Sequence, residues 1–226
     1  MGDALIRLLL VRHGVTIWNQ QIRYQGHHDV PLGDEGRAQA ERLAARLAGE
    51  SIDAVYTSDL ARARETAEVA TRRHGVRLTE TPALREMCFG AWEGMRYDEI
   101  AVTARDHWEA WIRDPVGVRP PGGESLEQVR ARIVAFFHSV VKLPPADGEA
   151  TDRFSYRGAG EPARGDQRTI LFVTHGGPVR VLLTHLLNMP TRRYWQFGVR
   201  PASLTALELY PDGAIAEVIG DTSHLW

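Results

Sequence analysis

The sequence predicts an α/β fold, a three-layer α/β/α sandwich around a mostly parallel mixed sheet. Short apolar runs alternate along the chain with longer segments whose apolar residues repeat at helical spacing. This alternation favours parallel strands joined by helices on both faces of the sheet. Near the end of the chain, two strand-like segments flank the turn sequence Pro211-Asp212-Gly213, and this hairpin makes the sheet mixed.

Each predicted element has its own signal. The strands are short apolar runs, and the helices carry one apolar face, which is clearest over 124–141. Thr57, Ser58 and Asp59 are good capping residues, so they are predicted to begin the helix that follows. Strands are predicted over residues 5–11, 52–56, 76–78, 169–174, 203–210 and 214–219. Helices are predicted over residues 34–47, 60–74, 97–112, 124–141 and 177–187.

The length and composition predict one domain. The chain has 226 residues, of which 43% are hydrophobic, and this suits a single α/β core over residues 1–226. Residues 144–167 are rich in Gly, Pro, Ala, Asp and Arg and offer little to bury. Because the strand–helix alternation resumes afterwards, we interpret this stretch as a flexible loop within the domain.

Charge, cysteine content and hydropathy exclude several classes of protein. The net charge is −2, so no general positive field would hold a nucleic acid. The single cysteine, Cys88, excludes an internal disulfide, fits a reducing compartment, and suits a small buried apolar residue better than a nucleophile. No segment approaches the roughly 20 apolar residues of a membrane span, and no signal peptide is recognisable. We expect a cytoplasmic protein without a membrane partner.

Two of the predicted strands end on a histidine that glycine follows. Arg12-His13-Gly14 closes the first strand, and His175-Gly176-Gly177 follows the strand over 169–174. Ligands of open α/β sheets bind beyond the carboxyl ends of the strands, so both histidines could face one pocket. Glycine lets the backbone approach an anion and present N–H donors where the next helix begins. Either motif alone also fits a structural histidine, but together they favour an anion site.

Two arginines are predicted near the same edge of the sheet. Arg12 directly follows an apolar strand and needs a partner if it is buried, and a phosphate dianion held by arginine forks would supply one. Arg62 lies early in the helix over 60–74, within reach of the same pocket, although an exposed helix arginine is the alternative. The segment 84–94 adds two carboxylates in an apolar, glycine-punctuated loop. One of them could give a proton to a leaving oxygen, but the residues alone do not choose between Glu86 and Glu93.

Four segments resemble, in their order along the chain, the motifs of the histidine phosphatase superfamily, also called phosphoglycerate mutase-like. The resemblance covers about residues 5–210, apart from 144–167, and it implies the phosphoglycerate mutase-like fold. The segments are Val11-Arg12-His13-Gly14-Val15-Thr16-Ile17-Trp18-Asn19, Ser58-Asp59-Leu60-Ala61-Arg62-Ala63, Leu84-Arg85-Glu86-Met87 with Phe89-Gly90, and Thr174-His175-Gly176-Gly177.

The resemblance implies a two-step phosphoryl transfer from a small phosphate monoester. His13 would become phosphohistidine, and Glu86 would protonate the leaving oxygen and then take a proton from water. No metal or cofactor is implied, because the arginines supply the positive charge. A homodimer is possible, since proteins of this fold often dimerise. The residues implied to hold the phosphate oxygens are Arg12, Arg62, His175, Asn19 and the Gly176 N–H, and those implied to line the substrate side are Gln25 and Gly26.

Within the family, the sequence favours a phosphatase over a phosphoglycerate mutase. The mutases grip the substrate carboxylate with a tyrosine, a lysine and an adjacent pair of arginines. Here Phe89 stands at the tyrosine position, Tyr97 at the lysine position, and no arginine pair occurs over 108–113. The segments 89–94 and 120–125 instead resemble α-ribazole phosphatases and broad-specificity phosphatases, whose reaction is hydrolysis.

Three other interpretations are weaker. A mutase remains the main alternative activity. A non-catalytic phosphate-binding protein of the same fold would be expected to lack the nucleophile or the acid, and here both are present. A metal site at His27-His28-Asp29 is disfavoured, because adjacent residues seldom bind one ion and no third ligand follows at a recognisable spacing.

Overall fold

The computed structural model describes residues 6–143, 168–211 and 213–226, and it contains one six-stranded mixed sheet. The strand order is β3-β2-β4-β1-β5-β6. Strands β1, β2, β3 and β4 are parallel, and β5 runs antiparallel to both of its neighbours, β1 and β6. The predicted α/β fold with a mostly parallel mixed sheet is therefore confirmed. The predicted loop over 144–167 lies outside the described residues. The strands are β1 Ile6–Arg12, β2 Ala54–Ser58, β3 Leu78–Thr81, β4 Arg168–Thr174, β5 Leu204–Tyr210 and β6 Gly213–Asp221.

The helices follow the predicted pattern with two differences. A short helix, α1, was not predicted, and the helix predicted over 97–112 is two helices. The backbone leaves the helical region at Ala104 (φ −137°, ψ 38°). The β-branched pair Val102 and Thr103, which has low helix propensity, precedes this break. The helices are α1 Ile17–Gln20, α2 Asp34–Leu47, α3 Ala61–Thr71, α4 Tyr97–Thr103, α5 Arg105–Arg113, α6 Leu126–Val140 and α7 Gly176–Leu186.

The start of α3 corrects the predicted capping. Leu60 occupies the N-cap position and contributes no side-chain hydrogen bond to the cap. The N–H of Ala61 instead donates to Oδ1 of Asp29 at 2.6 Å, and Asp59 pairs with Arg85. A carboxylate from another loop therefore caps this helix, which local sequence could not reveal.

The core lies in two layers on opposite faces of the sheet. Along β1, Leu8 and Leu10 face one cluster with α6 and α7, while Leu9 and Val11 face the other with α2 and α3. All four side chains are fully buried. Helices thus cover both faces of the sheet, as predicted. No helix in the described part of the chain is long and apolar enough to cross a membrane.

The topology brings three strand ends together. β4 lies between β1 and β2, and all three run in the same direction, so their carboxyl ends meet at one edge. The backbone N–H of His13 donates to the carbonyl of Thr174 at 2.9 Å, which joins the first two ends directly. The predicted site residues after these strands therefore share one edge of the sheet.

Candidate active site

His13 directly follows β1 and is held in one orientation. Its side chain is 3% exposed, and Nδ1 lies 2.7 Å from the carbonyl oxygen of Gly14. Since a carbonyl only accepts, Nδ1 carries the proton and Nε2 keeps its lone pair. The backbone is fixed on both sides, because the N–H donates to Thr174 and the carbonyl accepts from the N–H of Ala202. His13 therefore presents a lone pair on Nε2 from a rigid backbone.

The glycine after His13 has a structural role. A Cβ on Gly14 would lie 2.5 Å from the carbonyl oxygen of Gly36 in α2. The predicted reason for this glycine was a close approach of the backbone to an anion. The structure shows a close approach to α2, which by itself requires glycine, and the approach to an anion stays a prediction.

His175 follows β4 and lies next to His13. The two ring centroids are 5.1 Å apart, in an edge-to-face arrangement. Nδ1 of His175 is 3.2 Å from Nε of Arg62, and Nε2 is 2.9 Å from Oγ of Ser58. Because Nε–H of arginine can only donate, Nδ1 of His175 accepts and the neutral ring carries its proton on Nε2.

Both histidines are kept neutral by their surroundings. Burial is the largest cause that lowers the pKa of His13 and of His175 well below the usual value, and the charge of Arg62 is the second. The neutral form of His13 is the form with a lone pair. The environment therefore maintains a nucleophile over a wide range of pH.

Arg62 is fully buried at the start of α3, so the exposed interpretation is wrong. Besides His175, it donates to the carbonyls of His28 and Gly26 at 2.8 and 2.7 Å. Burial lowers its pKa to about 10, while Glu86 and Asp29 oppose the shift. Arg62 therefore remains charged at neutral pH, and three of its N–H donors are used to place the group.

Arg12 has more unused donors than Arg62. Its Nη1 donates to the carbonyl of Val199 at 2.7 Å, and its Nε is buried without a partner in the described ranges. Burial lowers its pKa, and the charge of Glu86 acts against this. Among the residues that the structure describes, no carboxylate lies within 4 Å of either Arg12 or Arg62. Two guanidinium groups thus face the site without a protein counter-ion.

The two carboxylates of the 84–94 loop have different environments. Glu86 accepts hydrogen bonds from the N–H of Gly177 at 3.1 Å and from its neighbour Met87, and its charge acts on both site arginines. A Cβ on Gly177 would collide with Oε1 of Glu86, so glycine is required there for this contact. Of the two carboxylates, Glu86 is therefore the one that reaches the strand ends.

Glu93 instead holds two loops together. Its oxygens accept hydrogen bonds from the backbone N–H groups of His27, His28 and Phe89 and from Nδ1 of His28. These bonds lower its pKa against the opposing effect of burial. With all these donors on its oxygens, Glu93 is a structural carboxylate.

The other predicted binding residues, Asn19, Gln25, Gly26 and Gly176, are placed by separate contacts. Oδ1 of Asn19 accepts from the N–H of Thr16 at the start of α1, and Oε1 of Gln25 accepts from Oγ1 of Thr16 at 2.8 Å. Gly26 has a positive φ of 52°, and its carbonyl accepts from Arg62. Gly176 is the first residue of α7. The geometry thus links Gln25 and Asn19 through Thr16, and Gly26 to the site through Arg62.

The histidines of the disfavoured metal cluster have protein partners. Nε2 of His27 lies 2.9 Å from the carbonyl of Glu86, and Nδ1 of His28 lies 2.8 Å from Glu93. In the described residues, no group of three or more His, Cys, Asp or Glu is arranged to hold a metal ion.

Burial raises the pKa of the Cys88 thiol, which disfavours the reactive thiolate.

Two polar residues of the site were not predicted. Ser58, the last residue of β2, contacts His175, and Arg180 lies beside Gly176. The signal for Arg180 was present in the sequence, since position 180 falls one helical turn after Gly176. Ser58 was interpreted only as a capping residue.

The fold and the site together define an α/β protein with a buried histidine pair at the carboxyl edge of its sheet. Beside this pair lie two arginines that have no carboxylate within 4 Å among the described residues. The sequence profile of the histidine phosphatase superfamily (branch 1) matches residues 8–222. The chain belongs to this superfamily.

Similar proteins include some named as phosphatases and others named as probable phosphoglycerate mutases. Phosphoserine phosphatase 1 of Hydrogenobacter thermophilus is 28% identical over 98% of this chain and 95% of its own length. "Probable phosphoglycerate mutase GpmB" of Yersinia pestis is 29% identical over the same shares. The solved structure of the alpha-ribazole phosphatase from Shigella flexneri is 27% identical, with a TM-score of 0.78 over 95% of this chain and 96% of that one.

Proposed function

We propose that this chain is a metal-independent phosphatase that hydrolyses a small phosphate monoester through a phosphohistidine intermediate. The observation that carries the proposal is the lone pair on Nε2 of His13, fixed by the Gly14 carbonyl. Beside it lie the guanidinium groups of Arg12 and Arg62, which have no carboxylate within 4 Å in the described parts of the chain. A phosphate dianion is the ligand that satisfies Arg12 and Arg62 together. Their charges take the place of a metal ion at the phosphate oxygens.

In the first step, Nε2 of His13 attacks phosphorus on the side opposite the ester oxygen. An N–P bond forms and the P–O bond to the alcohol breaks. The carboxylic acid of Glu86 gives its proton to the leaving oxygen, so a neutral alcohol departs. Arg12, Arg62, Asn19 and the N–H of Gly176 hold the three remaining oxygens. His175 joins them when its Nε2–H donates to the phosphate in place of Oγ of Ser58.

In the second step, water attacks the phosphorus of phosphohistidine. The carboxylate of Glu86 takes a proton from this water, the N–P bond breaks, and inorganic phosphate leaves. His13 regains its lone pair and Glu86 its proton. The cycle therefore balances without a cofactor.

Hydrolysis is favoured over mutase chemistry by the surroundings of Phe89. Its ring lies 4.6 Å from that of Tyr24 and 6.0 Å from that of Trp111, within an aromatic cluster. Phenylalanine offers no hydrogen bond to a carboxylate at the position where the mutases use tyrosine. The mutase remains the second candidate because of the relative that carries that name.

The test is incubation with p-nitrophenyl phosphate and, separately, 3-phosphoglycerate in the presence of EDTA. We expect release of phosphate without isomerisation, and an acid-labile, alkali-stable phosphoprotein after a rapid quench. Both signals should vanish in His13→Ala. His74→Ala is the matched control, because His74 likewise places one ring nitrogen on a backbone carbonyl, Nε2 on that of Leu47, and it lies beyond the end of α3 opposite to Arg62. Isomerisation would favour the mutase, turnover by His13→Ala would refute the mechanism, and a folded protein without turnover would support a binding role.

A further inference from the structure

Two histidines meet at the surface between α6 and α7, at the end of α7 opposite to Gly176. Nε2 of His138 in α6 lies 3.2 Å from Nε2 of His185 in α7. The ring centroids are 5.3 Å apart, and the ring planes are nearly perpendicular, at 87°. His138 is exposed and His185 is half-buried, so the pair is accessible from solution.

One buried ring packs against both imidazoles. The side chain of Phe137 is buried, and its ring centroid lies 5.1 Å from that of His138 and 6.3 Å from that of His185. Both contacts are edge-to-face. Because the same apolar ring limits the movement of both imidazoles, the two nitrogens are held near each other before any ligand binds.

The separation of the two nitrogens suits one bound metal ion. Zinc binds imidazole nitrogen at about 2.0–2.1 Å in tetrahedral geometry, which places two such nitrogens about 3.3 Å apart. The observed separation of 3.2 Å is close to this value. Without an ion, one Nε2–H donates to the other Nε2. When both Nε2 atoms bind a metal, that proton moves to Nδ1 of its own ring, so neither imidazole has to gain or lose a proton.

The ends of two helices favour a cation at this position. His138 lies in the last turn of α6 and His185 in the last turn of α7, where each helix dipole has its negative end. Burial lowers the pKa of His185 most, and the neighbouring His138 and Arg130 lower it further. His185 is therefore neutral at neutral pH, and the neutral ring is the form that binds a metal.

We propose that His138 and His185 form a binding site for one divalent metal ion of the class that prefers imidazole ligands, and zinc is the ion that fits the distance. No third His, Cys, Asp or Glu joins them among the described residues, so water completes the coordination. The ion is structural and takes no part in the reaction proposed above, which remains independent of metals.

An ion between these histidines joins the two helices that hold Glu86. Arg132 in α6 donates to the carbonyl of Glu86 at 2.9 Å, and the N–H of Gly177 in α7 donates to its carboxylate at 3.1 Å. The ion links the same two helices at their last turns. It therefore stabilises the packing of α6 on α7 without contacting the reacting groups.

The experiment is titration of the metal-free protein with zinc chloride, followed by isothermal titration calorimetry. Zinc sites with four protein ligands bind far more tightly, and two cations, Arg130 and Lys142, lie near this pair. We therefore expect a Kd of about 10–100 µM. His138→Gln and His185→Gln each leave a single imidazole and should each weaken the binding by at least about tenfold. Zinc should raise the thermal midpoint of wild type by several degrees and leave the midpoints of both variants unchanged.

His107→Gln is the matched control. His107 is also an exposed histidine on a helix, but its Nε2 contacts the carbonyl of Arg119 at 2.7 Å and not a second imidazole. This variant should bind zinc as wild type does, and an equal loss of binding in it would overturn the proposal.

Three further results would overturn the paired site. They are no zinc uptake by wild type at about 1 mM, unchanged affinity in both variants, and a loss in only one of them. Zinc binding that vanishes in His13→Ala and persists in His138→Gln would place the ion at the strand ends instead. Turnover of p-nitrophenyl phosphate in EDTA should be the same in wild type, His138→Gln and His185→Gln. Failure of the phosphatase would therefore be observed separately from failure of this site.

Discussion

Two neighbouring regions of the molecule use the same charged residue types in opposite ways. The first, here called the loop network, lies under the 84–94 loop and includes Arg132, Glu124 and Glu93. Arg132 donates to both oxygens of Glu124 and to the carbonyls of Ala83, Arg85 and Glu86. The second region, the strand-end site, contains Arg12, His13, Arg62 and His175. Its arginines have no carboxylate within 4 Å among the described residues.

This difference distinguishes charged residues that stabilise the fold from charged residues that bind a ligand. Where donors and acceptors satisfy one another, as in the loop network, the charges stabilise a conformation. In the strand-end site, Nε of Arg12 is buried without a partner in the described residues, and an anion bound there would satisfy it. The loop network holds the segment that presents Glu86, so the first region positions a group of the second.

The largest expected effect is on catalysis by Glu86. Glu86→Gln should lower kcat on an alkyl phosphate by about a thousandfold, because an amide cannot protonate the leaving oxygen. The loss on p-nitrophenyl phosphate should be much smaller, since nitrophenolate leaves without a proton. Steady-state kinetics on the two substrates provide the measurement. An equal loss on both would show that Glu86 only holds the loop.

The corresponding substitution in the loop network, Glu93→Gln, should lower the stability of the folded protein. Glu93→Gln replaces one acceptor oxygen by an NH2 group that faces backbone N–H donors, and Glu93 is 6% exposed. We expect a loss of about 2 kcal/mol in the free energy of unfolding, measured by urea denaturation. Glu41→Gln, which breaks an exposed pair with Arg72, is the control and should leave the midpoint unchanged. Equal midpoints for the two variants would remove the distinction between the regions.

Sequence periodicity was sufficient for the regular elements and for the meeting of the strand ends. Residues at the carboxyl ends of parallel neighbours must share one edge, so the proximity of His13 and His175 could be predicted from their positions alone. The same argument placed Arg62 near them. The positions of the strand ends did not predict the hydrogen-bond acceptors of Arg62, because the carbonyls of Gly26 and His28 belong to an irregular segment.

The remaining features depend on contacts that no local pattern encodes. Glu86 and Glu93 occupy one loop, and only the three-dimensional path of that loop directs the first toward Gly177 and the second toward His27. The cap of α3 by Asp29 and the break at Ala104 are of the same kind. Arg180 is different, since the helical spacing from Gly176 would have placed it.

The strand-end site should also make stability depend on pH. Burial depresses the folded-state pKa of both His13 and His175 below the usual 6.5. Below this value the unfolded chain binds protons that the folded protein refuses, so stability is present above about pH 6.5 and is lost as pH falls toward the folded values. Each histidine contributes up to about 1.4 kcal/mol per pH unit. His13→Gln should therefore lose less unfolding free energy than wild type between pH 6.5 and 5, as measured by urea denaturation at each pH. If the pH dependence of the variant equals that of wild type, the pKa of His13 is not depressed in the folded protein.

The smallest expected effect on activity concerns His224, which supports the backbone of His13 through Ala202. Nε2 of His224 donates to the carbonyl of Ala202 at 3.0 Å, and the N–H of Ala202, which has a positive φ of 55°, donates to the carbonyl of His13. A left-handed alanine is strained, so its two hydrogen bonds help to keep it in place.

His224→Phe keeps the ring but removes the donor, and we expect kcat on p-nitrophenyl phosphate to fall about threefold with little change in KM, because the loosened backbone lets His13 leave its attacking position. His74→Phe is the matched control, since its Nε2 also lies 3.0 Å from a backbone carbonyl and both rings leave a buried Nδ1 without a partner in the described residues. Both variants should lose similar stability, and only His224→Phe should lose turnover. If the two variants have the same kcat, His224 supports the fold and does not position the nucleophile.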